Sequence, residues 1–171
     1  HLDFHGNMED YFETKLKLFK DLNKNSTAII NGDDKYSKKI IDNINCNYIT
    51  YGFKDKFDLS VKSYSLDIDW TKIIFNFKKQ QFSVKTNLIG KFNIYNIMGA
   101  ILTSWKLGLN IGQITSALSD FKRVPGRFEQ FKLKNRNHVI VDYAHSPDAF
   151  ENILSNIKNL TKKGIVTIFG C

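Results

Sequence analysis

The sequence predicts an α/β protein with a mixed sheet that continues into a second, smaller α/β unit. Strands and helices alternate over residues 27–51, and apolar and polar residues then alternate over 57–87. A Pro-Gly pair follows at 125–126, after which the strand–helix alternation resumes. The chain has 171 residues, 42% of them hydrophobic and 25% charged, which is typical of a globular protein. No run of 18 apolar residues is present, so we expect no membrane-spanning helix.

The first part of the chain carries the α/β alternation. Apolar residues at helical spacing predict a helix over 8–22, with Asn7 as its N-cap. Strands are predicted at 27–31 and 47–51, with a helix at 36–44 between them. Such a connection favours parallel strands, because a helix has room to cross back over the sheet.

From residue 57 to 87, apolar and polar residues alternate, which predicts antiparallel strands with one solvated face. The three alternating segments are 59–66, 73–77 and 82–86. Gly90 then precedes an apolar-periodic segment, which predicts a helix over 94–107 that ends at Gly108. Another helix is predicted at 111–121.

The segment Val124–Pro125–Gly126 is the best candidate for a domain boundary, which predicts domains at 1–124 and 125–171. The second domain is predicted to contain strands at 128–133, 138–142 and 165–169 and a helix at 147–160. The last strand leads directly to Gly170-Cys171, and the chain begins with His1 rather than Met. We therefore expect the sequence to be an internal fragment of a longer protein.

Charge and cysteine content indicate which binding partners and which cellular setting to expect. The net charge is +8, but only three of the 25 basic residues are arginine, and the lysines are scattered. This distribution does not favour nucleic-acid binding. Two cysteines cannot form a disulfide framework and no signal peptide is visible, so we expect a reduced, cytoplasmic setting and no membrane partner.

One lysine lies on an apolar stripe. In the first predicted helix the apolar positions are 8, 11, 12, 16, 19 and 22, and position 15 on the same stripe is Lys15. Its ammonium group could reach water along the side-chain stem. Alternatively, desolvation could lower its pKa and make the amine nucleophilic enough to add carbon dioxide as a carbamate. Both interpretations stay open on the residues alone.

Five motifs in order resemble the Mur ligase family. They are His-Leu-Asp-Phe-His-Gly at 1–6 followed by Lys15, Asn-Gly-Asp-Asp at 31–34, Gly-Lys-Phe-Asn-Ile-Tyr-Asn at 90–96, Val-Pro-Gly-Arg-Phe-Glu at 124–129, and Asp-Tyr-Ala-His-Ser-Pro-Asp-Ala at 142–149. Phe-Gly-Cys at 169–171 resembles the start of a further family motif. The resemblance covers the whole chain.

The resemblance implies a fold and a reaction. Residues 1–124 would be the latter part of a P-loop-type ATP-binding domain with an antiparallel subsheet, and 125–171 the start of a Rossmann-like C-terminal domain. The family's activity implies a parent enzyme that uses ATP and Mg²⁺ to add the third amino acid to UDP-N-acetylmuramoyl-dipeptide in peptidoglycan synthesis. The family's Gly-rich phosphate loop is not in this sequence, so we expect the chain alone to be inactive.

The resemblance also assigns site residues. His1 would bind magnesium, and carbamylated Lys15 would orient that ion's ligands. Asn93 and Asn96 would reach adenine, Arg127 a phosphate, and Asp142 the ribose hydroxyls, while His145 would lie near the phosphates. From the residues alone, Asn93 could instead cap a helix, Arg127 could form a surface salt bridge, and His145 could belong to a helix start.

Other functions remain open at this point. A folylpolyglutamate or cyanophycin synthetase shares the same ligase core, although His-Leu-Asp-Phe-His-Gly argues against the former. A non-catalytic α/β binding module would keep the fold without the phosphate loop. The choice between diaminopimelate and lysine as the third amino acid is also open, because the segment that selects it is not in this sequence.

Overall fold

The computed structural model describes residues 7–122, 124–135 and 137–170. Within these ranges the helices are α1 Met8–Lys20, α2 Ser37–Ile41, α3 Lys91–Lys106, α4 Ile111–Asp120 and α5 Pro147–Leu160. The strands are β1 Thr27–Asn31, β2 Asn47–Gly52, β3 Leu59–Leu66, β4 Thr71–Phe77, β5 Gln80–Thr86, β6 Glu129–Lys132 and β7 His138–Val141. The predicted α/β class is confirmed.

The main sheet has five strands in the order β1-β2-β3-β4-β5. The pairs β1–β2 and β2–β3 are parallel, and the pairs β3–β4 and β4–β5 are antiparallel. The alternation along β4 buries Thr71, Ile73, Phe75 and Phe77 against the helices and leaves the intervening residues on the outer face. The mixed sheet with an antiparallel part is therefore as the sequence predicts.

Helix α3 covers the buried face of this sheet. Its residues Ile94, Ile97, Met98, Ile101 and Leu102 are all buried and share one hydrophobic core with the strands. The helix begins at Lys91, one turn earlier than the apolar pattern predicts, and the Asn93 N–H donates to the Gly90 carbonyl at 3.1 Å in this added turn. This packing fixes the position of the helix start, where Asn93 and Asn96 lie.

The last part of the chain forms a smaller unit. Strands β6 and β7 pair in an antiparallel two-stranded sheet. Helix α5 begins at the predicted Pro147, and its N-cap is Ser146, whose hydroxyl accepts the Ala149 N–H at 3.4 Å. Ile153 of this helix packs with Ile89 and Phe128 in a second hydrophobic cluster. This cluster joins α5 to the segment that precedes α3.

The predicted strand at 165–169 is wrong for this structure. Residues 164–170 have no regular secondary structure, and Ile168 is 93% exposed. A strand needs a neighbouring strand for its backbone hydrogen bonds, and among the described residues the small sheet pairs β6 with β7 alone. None of the helices in the described ranges is long and apolar enough to cross a membrane.

The segment between α4 and β6 stays our predicted domain boundary, and limited proteolysis tests it. Phe121 and Lys122 are exposed and lie outside both helix and strand. We expect trypsin to cleave after Lys122 before it cleaves after Lys106 of α3, because a protease needs an extended, accessible backbone. Mass spectrometry of the first fragments gives the order of cleavage. Earlier cleavage within α3 would contradict the boundary.

Candidate functional site

Two asparagines at the start of α3 form the first group of predicted site residues. The Asn93 Nδ2 donates to the Ile89 carbonyl at 2.8 Å, and its Oδ1 accepts from Asn96 Nδ2 at 3.0 Å. Asn93 is buried, whereas Asn96 is exposed. The buried Asn93 side chain therefore orients the Asn96 side chain, and Asn96 is the member of the pair that a ligand can reach.

The helix-cap alternative for Asn93 is not what the structure shows. The N-cap of α3 is Gly90, which has φ +97° and no side chain to accept a hydrogen bond. The Asn93 side chain instead bonds backward to Ile89, in the segment before the helix. Its role in the fold is to connect the first turn of α3 to that segment.

The second group lies around a tight turn between residues 124 and 129. The Arg127 N–H donates to the Val124 carbonyl at 3.1 Å, and the Gly126 N–H donates to Glu129 Oε2 at 2.9 Å. Phe128 has φ +47°, a left-handed conformation that costs free energy for a residue with a Cβ. Burial of its ring, which is 2% exposed, offsets this cost. With Phe128 turned inward, Arg127 is left exposed at the turn.

Asp142 connects this turn to the segment before α5. Its Oδ2 accepts the Phe128 N–H at 2.8 Å, and its Oδ1 accepts the Ala144 N–H at 2.8 Å. Each carboxylate oxygen thus accepts one backbone N–H, and each has a further lone pair that can accept from a ligand hydroxyl. Asp142 follows β7 directly. The residue is therefore both a structural anchor and a candidate ligand contact.

Arg127 and His145 both contact Tyr143. The guanidinium carbon of Arg127 lies 5.0 Å from the centroid of the Tyr143 ring, a cation–π distance. The rings of Tyr143 and His145 are 5.0 Å apart, and His145 Nδ1 is 3.0 Å from the Tyr143 carbonyl oxygen. Tyr143 is 63% exposed. We refer to Arg127, Tyr143 and His145 as the Arg-Tyr-His cluster, which places a fixed cation beside an accessible aromatic face.

Lys15 is exposed, with its Nζ 5.5 Å from the centroid of the Tyr11 ring. Of the two interpretations that the sequence leaves open, this arrangement matches an ammonium group that reaches water rather than a desolvated amine. Helix α1 buries only Phe12 and Leu16, a narrower face than the apolar stripe indicates. The proposed carbamate at Lys15 therefore depends on the family resemblance and not on burial. His1 lies outside the described residues.

Helix α1 is held on α2 by stacking and ion pairing. The rings of Phe12 and Tyr36 are 4.4 Å apart and nearly parallel. Lys39 of α2 pairs with Glu9 and with Glu13, the latter at 3.2 Å. These carboxylates, Glu9 foremost, raise the pKa of Lys39. Lys15 thus lies on an element separate from both other groups of predicted site residues.

The described residues do not form a magnesium site by themselves. No group of three or more His, Cys, Asp or Glu side chains within residues 7–122, 124–135 and 137–170 is arranged to hold a metal ion. Lys15, the described member of the predicted ligand set, offers a single exposed amine.

Asp33 connects the ends of two parallel strands to α3. Its Oδ2 accepts the Phe53 N–H at 2.6 Å and the Tyr95 hydroxyl at 3.2 Å. Asp33 follows β1, Phe53 follows β2, and Tyr95 lies between the two asparagines of α3. Burial, followed by the charge of Asp33, raises the pKa of Tyr95 to about 12. Sequence reasoning singled out 31–34 as a motif but gave Asp33 no role.

The raised pKa of Tyr95 predicts a pH dependence of stability. A tyrosine that ionises near 10 when unfolded and near 12 when folded contributes stability below pH 10, and that contribution is lost as the pH rises toward 12. We expect Tyr95→Phe to show a smaller loss of thermal stability between pH 9 and 11 than the parent chain. The measurement is a series of melting curves, with Tyr48→Phe on the exposed side of β2 as the control. An identical pH profile for Tyr95→Phe and the parent would contradict the prediction.

Comparison with known protein families assigns the fold and its two parts. Residues 1–104 match the Mur ligase middle domain, and residues 126–171 match the Mur ligase, glutamate ligase domain. The chain belongs to the Mur ligase family. The resemblance to this family that the five motifs indicate is therefore confirmed.

Curated Mur ligases are similar over the whole chain. The UDP-N-acetylmuramoyl-L-alanyl-D-glutamate--2,6-diaminopimelate ligase of Syntrophomonas wolfei is 38% identical over 100% of this chain and 35% of the relative. The ligase of the same name from Fusobacterium nucleatum is 40% identical over the same shares. The chain thus spans about 35% of the length of these relatives.

A solved Mur ligase has the same arrangement of elements. The MurF ligase of Thermotoga maritima in complex with ADP superposes with a TM-score of 0.79 over 92% of this chain and 36% of that one, at 25% identity. The similarity extends through both parts of the chain.

Sequence reasoning missed three residues that the structure places within or between these groups. Tyr143 lies inside a quoted Mur ligase motif, and the contacts of its exposed ring with Arg127 and with His145 give it a role that the motif does not reveal. Asp33 and Tyr95 also lie in quoted motifs, but they are 62 residues apart. Only the fold brings them together.

Proposed function

We propose that this chain acts within a longer polypeptide as part of an ATP-dependent carbon–nitrogen ligase of peptidoglycan synthesis. The acceptor would be UDP-N-acetylmuramoyl-L-alanyl-D-glutamate, and the incoming amino acid would be 2,6-diaminopimelate. The observation that carries the proposal is the 35–40% identity to diaminopimelate ligases over the whole chain. A cytoplasmic location accompanies the proposal.

The proposed reaction has two steps. The terminal carboxylate of the acceptor attacks the γ-phosphorus of ATP, which gives an acyl phosphate and releases ADP. The amine of the amino acid then attacks the acyl carbon, which forms the amide and releases inorganic phosphate. Positive groups lower the barrier by offsetting charge on the phosphoryl oxygens, and the complete enzyme would also use Mg²⁺ for this purpose.

Within that reaction, the proposed nucleotide contacts come from α3, from Asp142 and from the Arg-Tyr-His cluster. Asn96 presents both a donor and an acceptor, which suits the edge of adenine. Asp142 would accept from the ribose hydroxyls through its remaining lone pairs. Arg127, whose planar guanidinium binds phosphate oxygens in pairs, would contact a phosphate, with His145 nearby. Asn93 would act through Asn96, because the structure buries it and bonds it to that residue.

A turnover assay tests the proposal. The complete reading frame that contains this sequence would be expressed and supplied with Mg-ATP, the UDP-linked dipeptide and an amino acid. We expect phosphate release and a product of increased mass only when all three substrates are present, with diaminopimelate preferred over lysine. The 171-residue chain alone serves as a control that should show no turnover, since it spans about 35% of the relatives' length. A complete enzyme that glutamylates a folate instead would overturn the proposed acceptor.

A further inference from the structure

Helix α3 is capped at its start by a residue from α5. The first N–H groups of a helix need acceptors from outside the helix, and Gly90 at the N-cap has no side chain to supply one. The Oδ1 of Asn156 accepts the Lys91 N–H at 3.0 Å. Asn156 lies 65 positions further along the chain. The cap therefore joins two distant elements rather than closing the helix locally.

Features of both helices support the hydrogen bond between Asn156 and Lys91. The Nδ2 of Asn156 donates to the Asn152 carbonyl at 2.7 Å, which leaves Oδ1 to face α3. A Cβ at Gly90 would lie 3.3 Å from this Oδ1 and 2.9 Å from the Phe92 ring, so glycine makes room for the approach. The residue's φ of +97° also favours glycine.

Apolar packing supports the same junction. Ile153, one turn before Asn156, packs in the cluster that contains Ile89 and Phe128. Ile89 immediately precedes the N-cap of α3, and the ring of Phe92 in its first turn lies 6.2 Å from that of Phe128. The polar cap and the apolar cluster thus fasten the same end of α3 to α5.

This junction lies between the two groups of proposed nucleotide contacts. Asn93 and Asn96 lie on the first turns of α3. Asp142 and His145 immediately precede α5, and Arg127 adjoins the buried Phe128. A change in the packing of α5 against the start of α3 would therefore change the distance between the asparagine pair and the other group of proposed contacts.

We propose that Asn156 is a positioning residue that sets the spacing between the asparagine pair of α3 and the Arg127, Asp142 and His145 group. The inference rests on the proposed function, because it assumes that both groups contact one nucleotide. Asn156 itself contacts neither ligand nor reacting atoms in this account. It acts by holding Lys91.

The test compares three variants of the complete ligase. Asn156→Ala removes the acceptor, whereas Asn156→Asp keeps an acceptor and adds a negative charge that a helix N-terminus favours. Asn152→Ala is the matched control, because it changes an exposed asparagine of α5 and keeps the carbonyl that Asn156 uses. Calorimetry gives the Kd for Mg-ATP and for the UDP-linked dipeptide. Hydrogen exchange of peptides that cover residues 89–96 reports on the cap.

We expect Asn156→Ala to weaken Mg-ATP binding about tenfold, with exchange at the start of α3 faster by about the same factor. Binding of the UDP-linked dipeptide should stay within about twofold, which a general loss of structure would not allow. Asn156→Asp should bind Mg-ATP more tightly than Asn156→Ala, because it keeps an acceptor for the Lys91 N–H although it lacks the donor to the Asn152 carbonyl. Asn152→Ala should match the parent in both measurements.

Different failures lead to different conclusions. Unchanged exchange in Asn156→Ala would show that the cap does not form and would overturn the inference. Faster exchange with unchanged ATP binding would reduce Asn156 to a local cap and would also overturn it. If Asn156→Ala weakens ATP binding but the parent ligates no amino acid, the positioning role stands and the proposed function fails.

Discussion

Lys15→Ala in the complete ligase should lose activity by about 10²-fold or more while keeping its melting temperature. In the Mur ligase resemblance this lysine carries a carbamate, an anionic group at the end of a long side chain. Removing one group that orients a reacting centre typically costs activity on that scale. The structure adds that Lys15 is exposed, so its removal leaves no cavity and should not destabilise the fold.

A rescue experiment separates the chemical role from a structural one. Acetate or another short carboxylate should restore part of the Lys15→Ala activity, because it replaces the missing anionic group. Lys17→Ala changes another exposed lysine of α1 and serves as the control, which should keep near-normal turnover. Carbon-13-labelled bicarbonate should give a carbamate NMR signal in the parent that is missing from Lys15→Ala. Near-normal turnover of Lys15→Ala would overturn the role of this residue.

Substitution of Asp142 should damage both stability and nucleotide binding. Asp142→Ala removes the acceptors of the Phe128 and Ala144 N–H groups, and leaving a buried donor unpaired costs about 1–3 kcal/mol. Phe128 would also lose a contact that holds its left-handed conformation, which displaces the neighbouring Arg127. We expect kcat/KM for ATP to fall about 10- to 100-fold, measured beside a denaturant unfolding curve.

Asp142→Asn tests how much the two backbone hydrogen bonds of Asp142 contribute to stability. An amide has one acceptor oxygen, so it can satisfy only one of the two N–H groups and turns its NH₂ toward the other. We therefore expect Asp142→Asn to be destabilised nearly as much as Asp142→Ala. Glu151→Gln, an exposed change on α5, is the control and should leave both stability and kcat/KM unchanged. Full stability of Asp142→Asn would show that the two backbone hydrogen bonds contribute little.

The order of helices and strands could be predicted because periodicity is a local property of the chain. Strands β4 and β5 bury alternate residues, and the alternation is visible in the sequence. Burial was harder to predict, as Lys15 shows. Periodicity indicates which side of a helix is apolar, but the width of the buried face depends on neighbours that the pattern does not contain. In α1 those neighbours bury only Phe12 and Leu16.

The family motifs identify candidate site residues, but they do not show which residues contact one another. Family motifs supplied Asn93, Asn96, Arg127, Asp142 and His145, and the roles proposed for them stay predictions. The hydrogen bonds that place them join residues far apart, such as Asn156 with Lys91 and Asp33 with Tyr95. The left-handed Phe128 also has no local signal, because its backbone is held by burial of its ring and by Asp142.

The irregular segment after α5 has a consequence for handling the isolated chain. Residues 165–169, Ile-Val-Thr-Ile-Phe, combine β-branched and aromatic side chains without charge or proline, and Val166, Ile168 and Phe169 are all largely exposed. Such stretches pair with identical copies through cross-β contacts. Solutions of the 171-residue chain should therefore self-associate as concentration rises. A single lysine in place of Val166 or Ile168 would act as a gatekeeper against that association without touching either group of site residues.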